Sequence, residues 1–204
     1  MAVNAGAAAA RSGGGGAVLP TPLLAESLEP LRGGERLVML DLGPPRAATV
    51  GYLSGYRCRL GIADALGELV DADAALQGGV AGEHLAHVLP AQSFAGSQLI
   101  LCWSVLDYLS AESIRALGRH LLSLAAPGAV LHALVAYGVS SQPSRPLAYT
   151  LAAEGVCPGQ APAGDPGRKP PRLSSGELQR LLPDWRVKRS VLLSNGWQEY
   201  CFEC

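Results

Sequence analysis

Two acidic residues stand near the ends of apolar runs of strand length: Asp41 in 35–42 (ERLVMLDL) and Asp64 directly after 57–63 (RCRLGIA). After Asp41 the chain reads Gly43–Pro44–Pro45–Arg46–Ala47–Ala48, and its two prolines delete two amide donors from the turn. Asp107 and Tyr108 follow a third apolar run, 96–103 (GSQLILCW), which ends in Trp103 and is followed by Ser104. Cys201 and Cys204 form a C-x-x-C pair. Residues three apart on a strand point to opposite faces and no second ligand pair lies nearby, so buried or terminal thiols outweigh a metal or redox pair. His84 and His87 are three apart in an ambiguous segment, 78–87, and metal ligation would need further ligands. His120 and His132 read as structural. No metal site and no catalytic base are identified.

These residues depend on the elements that carry them. The runs 35–42, 57–63, 96–103 and 129–136 (AVLHALVA) lack polar alternation, as parallel strands buried on both faces require. Helices are expected over 22–31, 45–54, 65–76, 110–124 and 174–182. Ser110 is a suitable N-cap; Ile114, Leu117, Leu121 and Leu124 form one stripe; Ser174 and Glu177 have capping-box spacing. Pro127–Gly128 should turn the chain into the 129–136 strand. Two closing runs, 185–193 and 197–204, flank Ser194–Asn195–Gly196, a strong hairpin signal. Residues 140–172, rich in Pro, Gly and Ser, read as a long excursion or lid.

The chain has 204 residues, of which 49% are hydrophobic and 16% charged, so a single packed domain is expected rather than a disordered one. Residues 1–17 read as a disordered low-complexity tail and 18–204 as the domain. Net charge is −1 with no basic block, which argues against a nucleic-acid or polybasic membrane surface. No apolar run reaches membrane-spanning length, and the cytoplasm is the expected setting. Five scattered cysteines fit reduced thiols better than a disulfide framework.

LVMLDLG at 37–43, the stretch 99–135 with its strand, helix, Pro-Gly turn and strand, and the closing RVKRSVLLSNGWQEYCFEC resemble the class I S-adenosylmethionine-dependent methyltransferases. The likeness covers roughly residues 35 to 204 and is greatest to bacterial methyltransferase-like proteins whose first motif reads DLGP. It implies an α/β fold with a doubly wound, mostly parallel seven-stranded sheet and a C-terminal antiparallel hairpin. It also implies S-adenosylmethionine as cofactor, at the carboxyl ends of the strands. On that resemblance Asp41, Gly43, Pro44, Arg46, Asp64, Ala65, Trp103 and Ser104 would line the cofactor site. Asp64 would hold the ribose hydroxyls, Ala65 would lie beside the adenine edge, and Asp41 would order the glycine turn. Asp107 and Tyr108 would face an unidentified small-molecule or protein acceptor, or else serve helix entry and core packing.

The sequence departs from that family after Gly43, where further glycines usually allow close approach to the methionine part of the ligand. Two readings of the Pro-Pro turn follow. Either Pro45 starts the helix, leaving the amides of Arg46 and Ala47, with the Arg46 guanidinium, to take a carboxylate; or the fold is kept as a binding or scaffolding protein without cofactor. A nicotinamide-dependent oxidoreductase is disfavoured, because G-x-G-x-x-G is absent after the first strand.

Overall fold

The computed structural model describes residues 17–76 and 79–204. The expected tail therefore lies, but for its last residue, outside the described residues. In chain order the elements are β1 (Leu19–Pro20), α1 (Pro22–Ser27), α2 (Glu29–Arg32), β2 (Leu37–Asp41), α3 (Ala47–Leu53), β3 (Cys58–Ile62), α4 (Leu66–Ala75), α5 (Gly82–Val88) and α6 (Ala91–Phe94). They continue with β4 (Ser97–Trp103), a 3-10 turn (Val105–Tyr108), α7 (Ala111–Leu124), β5 (Ala125–Ala136), β6 (Tyr149–Ala152), β7 (Gly155–Pro158), α8 (Ser175–Leu181), β8 (Arg186–Leu192) and β9 (Trp197–Glu203).

The main sheet has six strands in the order β3-β2-β4-β5-β9-β8, parallel from β3 through β5 and antiparallel from β5 onward. The seven strands expected from the resemblance are thus reduced by one. The chain between β3 and β4 would have to supply it, and there the described residues form α4, α5 and α6. Leu40, Ile100, Leu101 and Leu131 are fully buried in the centre, which is why β2, β4 and β5 read as unbroken apolar runs.

Helix ends follow local chemistry where local chemistry is present. The Ser110 side chain accepts from the Ser113 amide, and Ser174 with Glu177 forms a reciprocal capping box. Pro127–Gly128 does not separate helix from strand: β5 already begins at Ala125, and the two residues sit in a register shift between Ala125 and Val130, with Gly128 at φ +73°. The last hairpin closes through Ser194–Asn195–Gly196, the Gly196 amide donating to Leu193 O at 3.0 Å and Gly196 taking φ +83°. That is a three-residue connection in which glycine supplies the left-handed residue, not a two-residue Asn-Gly turn.

The Pro-rich excursion, 140–172, carries secondary structure of its own. Within it β6 and β7 pair antiparallel, and β7 pairs with β1 in a second, three-stranded sheet. Glycine at 155 is required there, because a Cβ would lie 2.1 Å from Leu19 O.

Candidate functional site

In the main sheet β2 is flanked by β3 on one side and by β4 on the other, so the winding direction reverses between β2 and β4. Open parallel sheets bind ligands outside the carboxyl ends of the strands at such a reversal. Asp41 and Gly43 on one side and Trp103 on the other border this point.

The point is filled by the chain's own side chains. Asp41 is 2% exposed, and its Oδ1 accepts from the Gly43 amide at 2.8 Å and from Trp103 Nε1 at 2.5 Å. Burial raises the Asp41 carboxyl above its ordinary range, and the two hydrogen bonds pull it back. The Trp103 indole, 0% exposed, packs so closely on the turn that a Cβ at Gly43 would lie 2.9 Å from its Nε1. Trp103 also holds φ +51°, a left-handed conformation uncommon for an aromatic residue. Tyr149 of β6 stacks on the indole, centroids 5.0 Å apart and planes within 9°.

The excursion is strapped to the turn beneath it. Leu151 N donates to Thr49 Oγ1 at 3.1 Å, and Arg46 Nε to Thr150 Oγ1 at 3.4 Å. Two expectations for this loop are corrected here. The helix begins at Ala47 with extended Arg46 before it, so Pro45 is not its first residue. The Arg46 side chain reaches β6 instead of waiting for a carboxylate.

The opposite flank is open. Asp64 stands two residues past the end of β3, is exposed, and takes φ +50° so that its amide can donate to Gly43 O at 3.2 Å. Ala65, fully buried, donates to Leu42 O at 2.9 Å and leads into α4. The β3 end is thereby hydrogen-bonded to the Gly43 turn, with the Asp64 carboxylate towards solvent.

Past β4 the side chains turn inward. Ser104 is 1% exposed, and burial lifts the Tyr149 hydroxyl to about 12, with Ser104 pulling the other way. Asp107 Oδ2 accepts from the Ala136 amide at 2.8 Å, while Oδ1 is buried and finds no partner among the described residues. Burial lifts the Asp107 carboxyl to about 7, against the pull of the Ala136 amide and the Arg168 charge. Tyr108 donates to Pro143 O at 2.9 Å and lies under the Arg168 guanidinium, 5.1 Å from its ring centroid. Gln142, whose backbone bridges Arg168, is likewise buried with both side-chain polar atoms unpartnered among the described residues.

The structure therefore gathers Asp41, Gly43, Trp103, Ser104, Asp107 and Tyr108 under the excursion and leaves Asp64 outside it. Tyr149, Gln142 and Arg168 were not anticipated from the sequence. Their one signal is the length of the Pro-rich segment that supplies them.

The other candidates fall elsewhere. Cys201 contacts Ser27 at 3.7 Å, and Cys204, just past β9, donates to Ala126 O. His84 and His87 lie on α5, with His84 3.5 Å from Glu68. His120 bonds Leu89 O at 2.8 Å. His132 Nε2 meets Glu199 Oε1 at 2.9 Å, both side chains fully buried. No described helix is long and apolar enough to cross a membrane.

No protein-family model matches the chain. No curated protein matches it in sequence. Solved structures do superpose on it at low identity. The pyocyanin biosynthetic protein PhzM shares 16% identity with a TM-score of 0.47, over 89% of this chain and 54% of PhzM, so the chain spans about half of PhzM's length. The 1,6-didemethyltoxoflavin-N1-methyltransferase of Burkholderia thailandensis, solved with S-adenosylhomocysteine, shares 13% with a TM-score of 0.48, over 88% and 76% of the two chains. The N-methyltransferase NodS of Bradyrhizobium japonicum WM9 shares 15% with a TM-score of 0.48, over 89% and 91%. The chain's own strand order, with four parallel strands and an antiparallel last hairpin, is that of a doubly wound α/β domain and agrees with the arrangement the sequence resemblance implies.

Proposed function

We propose that this chain is an S-adenosylmethionine-dependent methyltransferase whose cofactor lies across the carboxyl ends of β3, β2 and β4. One observation carries the reading: the exposed Asp64 carboxylate stands two residues past the end of β3, one strand from the winding reversal, beside fully buried Ala65. A carboxylate so placed accepts from two vicinal ribose hydroxyls. When bound, the cofactor would supply an electrophilic methyl group. The proposed acceptor is a small molecule or a protein, approaching from the side of Asp107 and Tyr108, and the proposed setting is the cytoplasm, in keeping with five unpaired cysteines.

The residues fit one end of that cofactor and not the other. At the amino-acid end the Gly43 amide is engaged by Asp41, Pro44 and Pro45 have no amide proton, and the Trp103 indole fills the crevice. The same observation favours a second reading, a scaffold that has kept the fold and lost the cofactor.

Calorimetric titration with S-adenosylhomocysteine tests the proposal. Asp64→Ala should weaken binding by about 1.5–3 kcal/mol, as for loss of a charge-assisted hydrogen bond, and lower the melting temperature only slightly, since Asp64 is exposed but its φ of +50° suits Asp better than Ala. Equal affinity in wild type and variant would remove Asp64 from the site.

A further inference from the structure

The crevice at the winding reversal and the lining of that crevice are in conflict. Topology makes the space between the ends of β2 and β4 the place for a ligand. An indole occupies it, bonded to Asp41, packed on Gly43 and covered by Tyr149. Four features show that the occupant is held in place and not merely present. Among the described residues Asp41 has no other side-chain donor, so losing the indole leaves a buried carboxylate oxygen with only the Gly43 amide. Trp103 adopts an unfavourable backbone conformation at the strand end. Tyr149 is 4% exposed and is fixed by the pairing of β6 with β7. Finally, β6 is tied to α3 through Thr49 and Arg46, on the same turn that the indole covers.

We propose that Trp103, clamped by Tyr149 of the excursion, is an internal plug in the ligand crevice, and that the amino-acid end of a bound nucleoside cofactor enters only when the plug leaves. The proposal rests on the functional reading given above, and it divides the site. The β3 end, where the Asp64 carboxylate is exposed, is open to the ribose of an adenosine group in the plugged state. The β2–β4 crevice opens only as the excursion lifts. A ligand needing both ends binds with an apparent affinity reduced by the fraction of molecules that are open, whereas a ligand needing the β3 end alone is unaffected. The excursion is thus the natural point of control, since whatever moves β6 moves the clamp.

The test compares adenosine with S-adenosylhomocysteine by calorimetry on wild type, Trp103→Ala and Tyr149→Ala. Melting curves select the variants that remain folded, and Tyr149→Ala removes the clamp with the indole kept if Trp103→Ala does not fold. Adenosine should bind all three proteins within about threefold of one another. S-adenosylhomocysteine should bind Trp103→Ala about ten- to a thousandfold more tightly than wild type, corresponding to an open fraction of 0.1–10%, and Tyr149→Ala by a smaller factor in the same direction. If adenosine binds and S-adenosylhomocysteine gains nothing in either variant, the plug is overturned while the cofactor reading stands. If neither ligand binds any of the proteins at millimolar concentration, the cofactor reading fails and the plug fails with it.

Discussion

Glu199→Ala should cost about 3–5 kcal/mol of folding stability, read as a lowered midpoint in urea unfolding. The Glu199 carboxylate is 0% exposed and accepts from Leu23 N at 3.0 Å, Leu24 N at 2.8 Å and His132 Nε2 at 2.9 Å. Its two amide donors are the first-turn groups of α1, which no local side chain caps. The cap that α1 lacks in its own sequence is therefore delivered from β9, about as far along the chain as this domain allows. Truncation strands two amides and an imidazole in a buried interior, and an unsatisfied buried group is far costlier than a lost contact. Glu199→Gln should cost less, because its carbonyl oxygen in the place of Oε1 still accepts from Leu24 N and faces His132, leaving only the Leu23 amide opposed by the new NH2 group. A loss below about 1 kcal/mol for Glu199→Ala would mean that α1 is not anchored in this way.

Stability should fall as pH rises from about 4 to 7, by roughly 2–4 kcal/mol, with Asp107 as the main cause. The sign follows from the direction of the shift. Burial raises the Asp107 carboxyl in the folded chain to about 7, above its ordinary value of 3.8. The folded state holds the proton more tightly than the unfolded state does. The contribution is therefore complete below the unfolded value and is lost as pH rises through the folded one. Asp41, raised by burial as well, acts in the same sense. Asp107→Asn imitates the protonated form and should flatten most of the slope in urea midpoints measured at intervals across that range. A slope unchanged in Asp107→Asn would assign it to other groups.

The sequence made the sheet legible because burial on both faces leaves a direct mark. The continuous runs at Leu37–Asp41 and Ser97–Trp103 could only be central strands, and the turn chemistry of Ser110, Ser174 and Asn195–Gly196 located the helix starts and the last hairpin. The absence of a seventh strand in the main sheet among the described residues was not legible, since 78–87 is ambiguous in sequence and only the structure shows α5 there. The strands β6 and β7 were hidden for another reason. Four-residue strands among Pro and Gly have too few alternations to stand out, and what orders them is pairing with each other and with β1, a long-range contact that local sequence does not encode. The candidate site divides along the same line. Asp41, Gly43 and Asp64 were located by strand ends, whereas the direction of the Trp103 indole depends on Tyr149, 46 positions further along the chain. The Pro-Pro turn suggests a helix start at Pro45, but Arg46 is extended and the helix starts at Ala47, with the Arg46 side chain on Thr150, a contact 104 positions away that local sequence does not encode.

A structure of the chain with S-adenosylhomocysteine bound tests the whole account most directly. It should show the ribose hydroxyls on the Asp64 carboxylate, the homocysteine end between β2 and β4, and the Trp103 indole withdrawn from Asp41 with Tyr149 displaced. A ligand bound elsewhere, or bound in the crevice with the Trp103–Asp41 hydrogen bond intact, would contradict it.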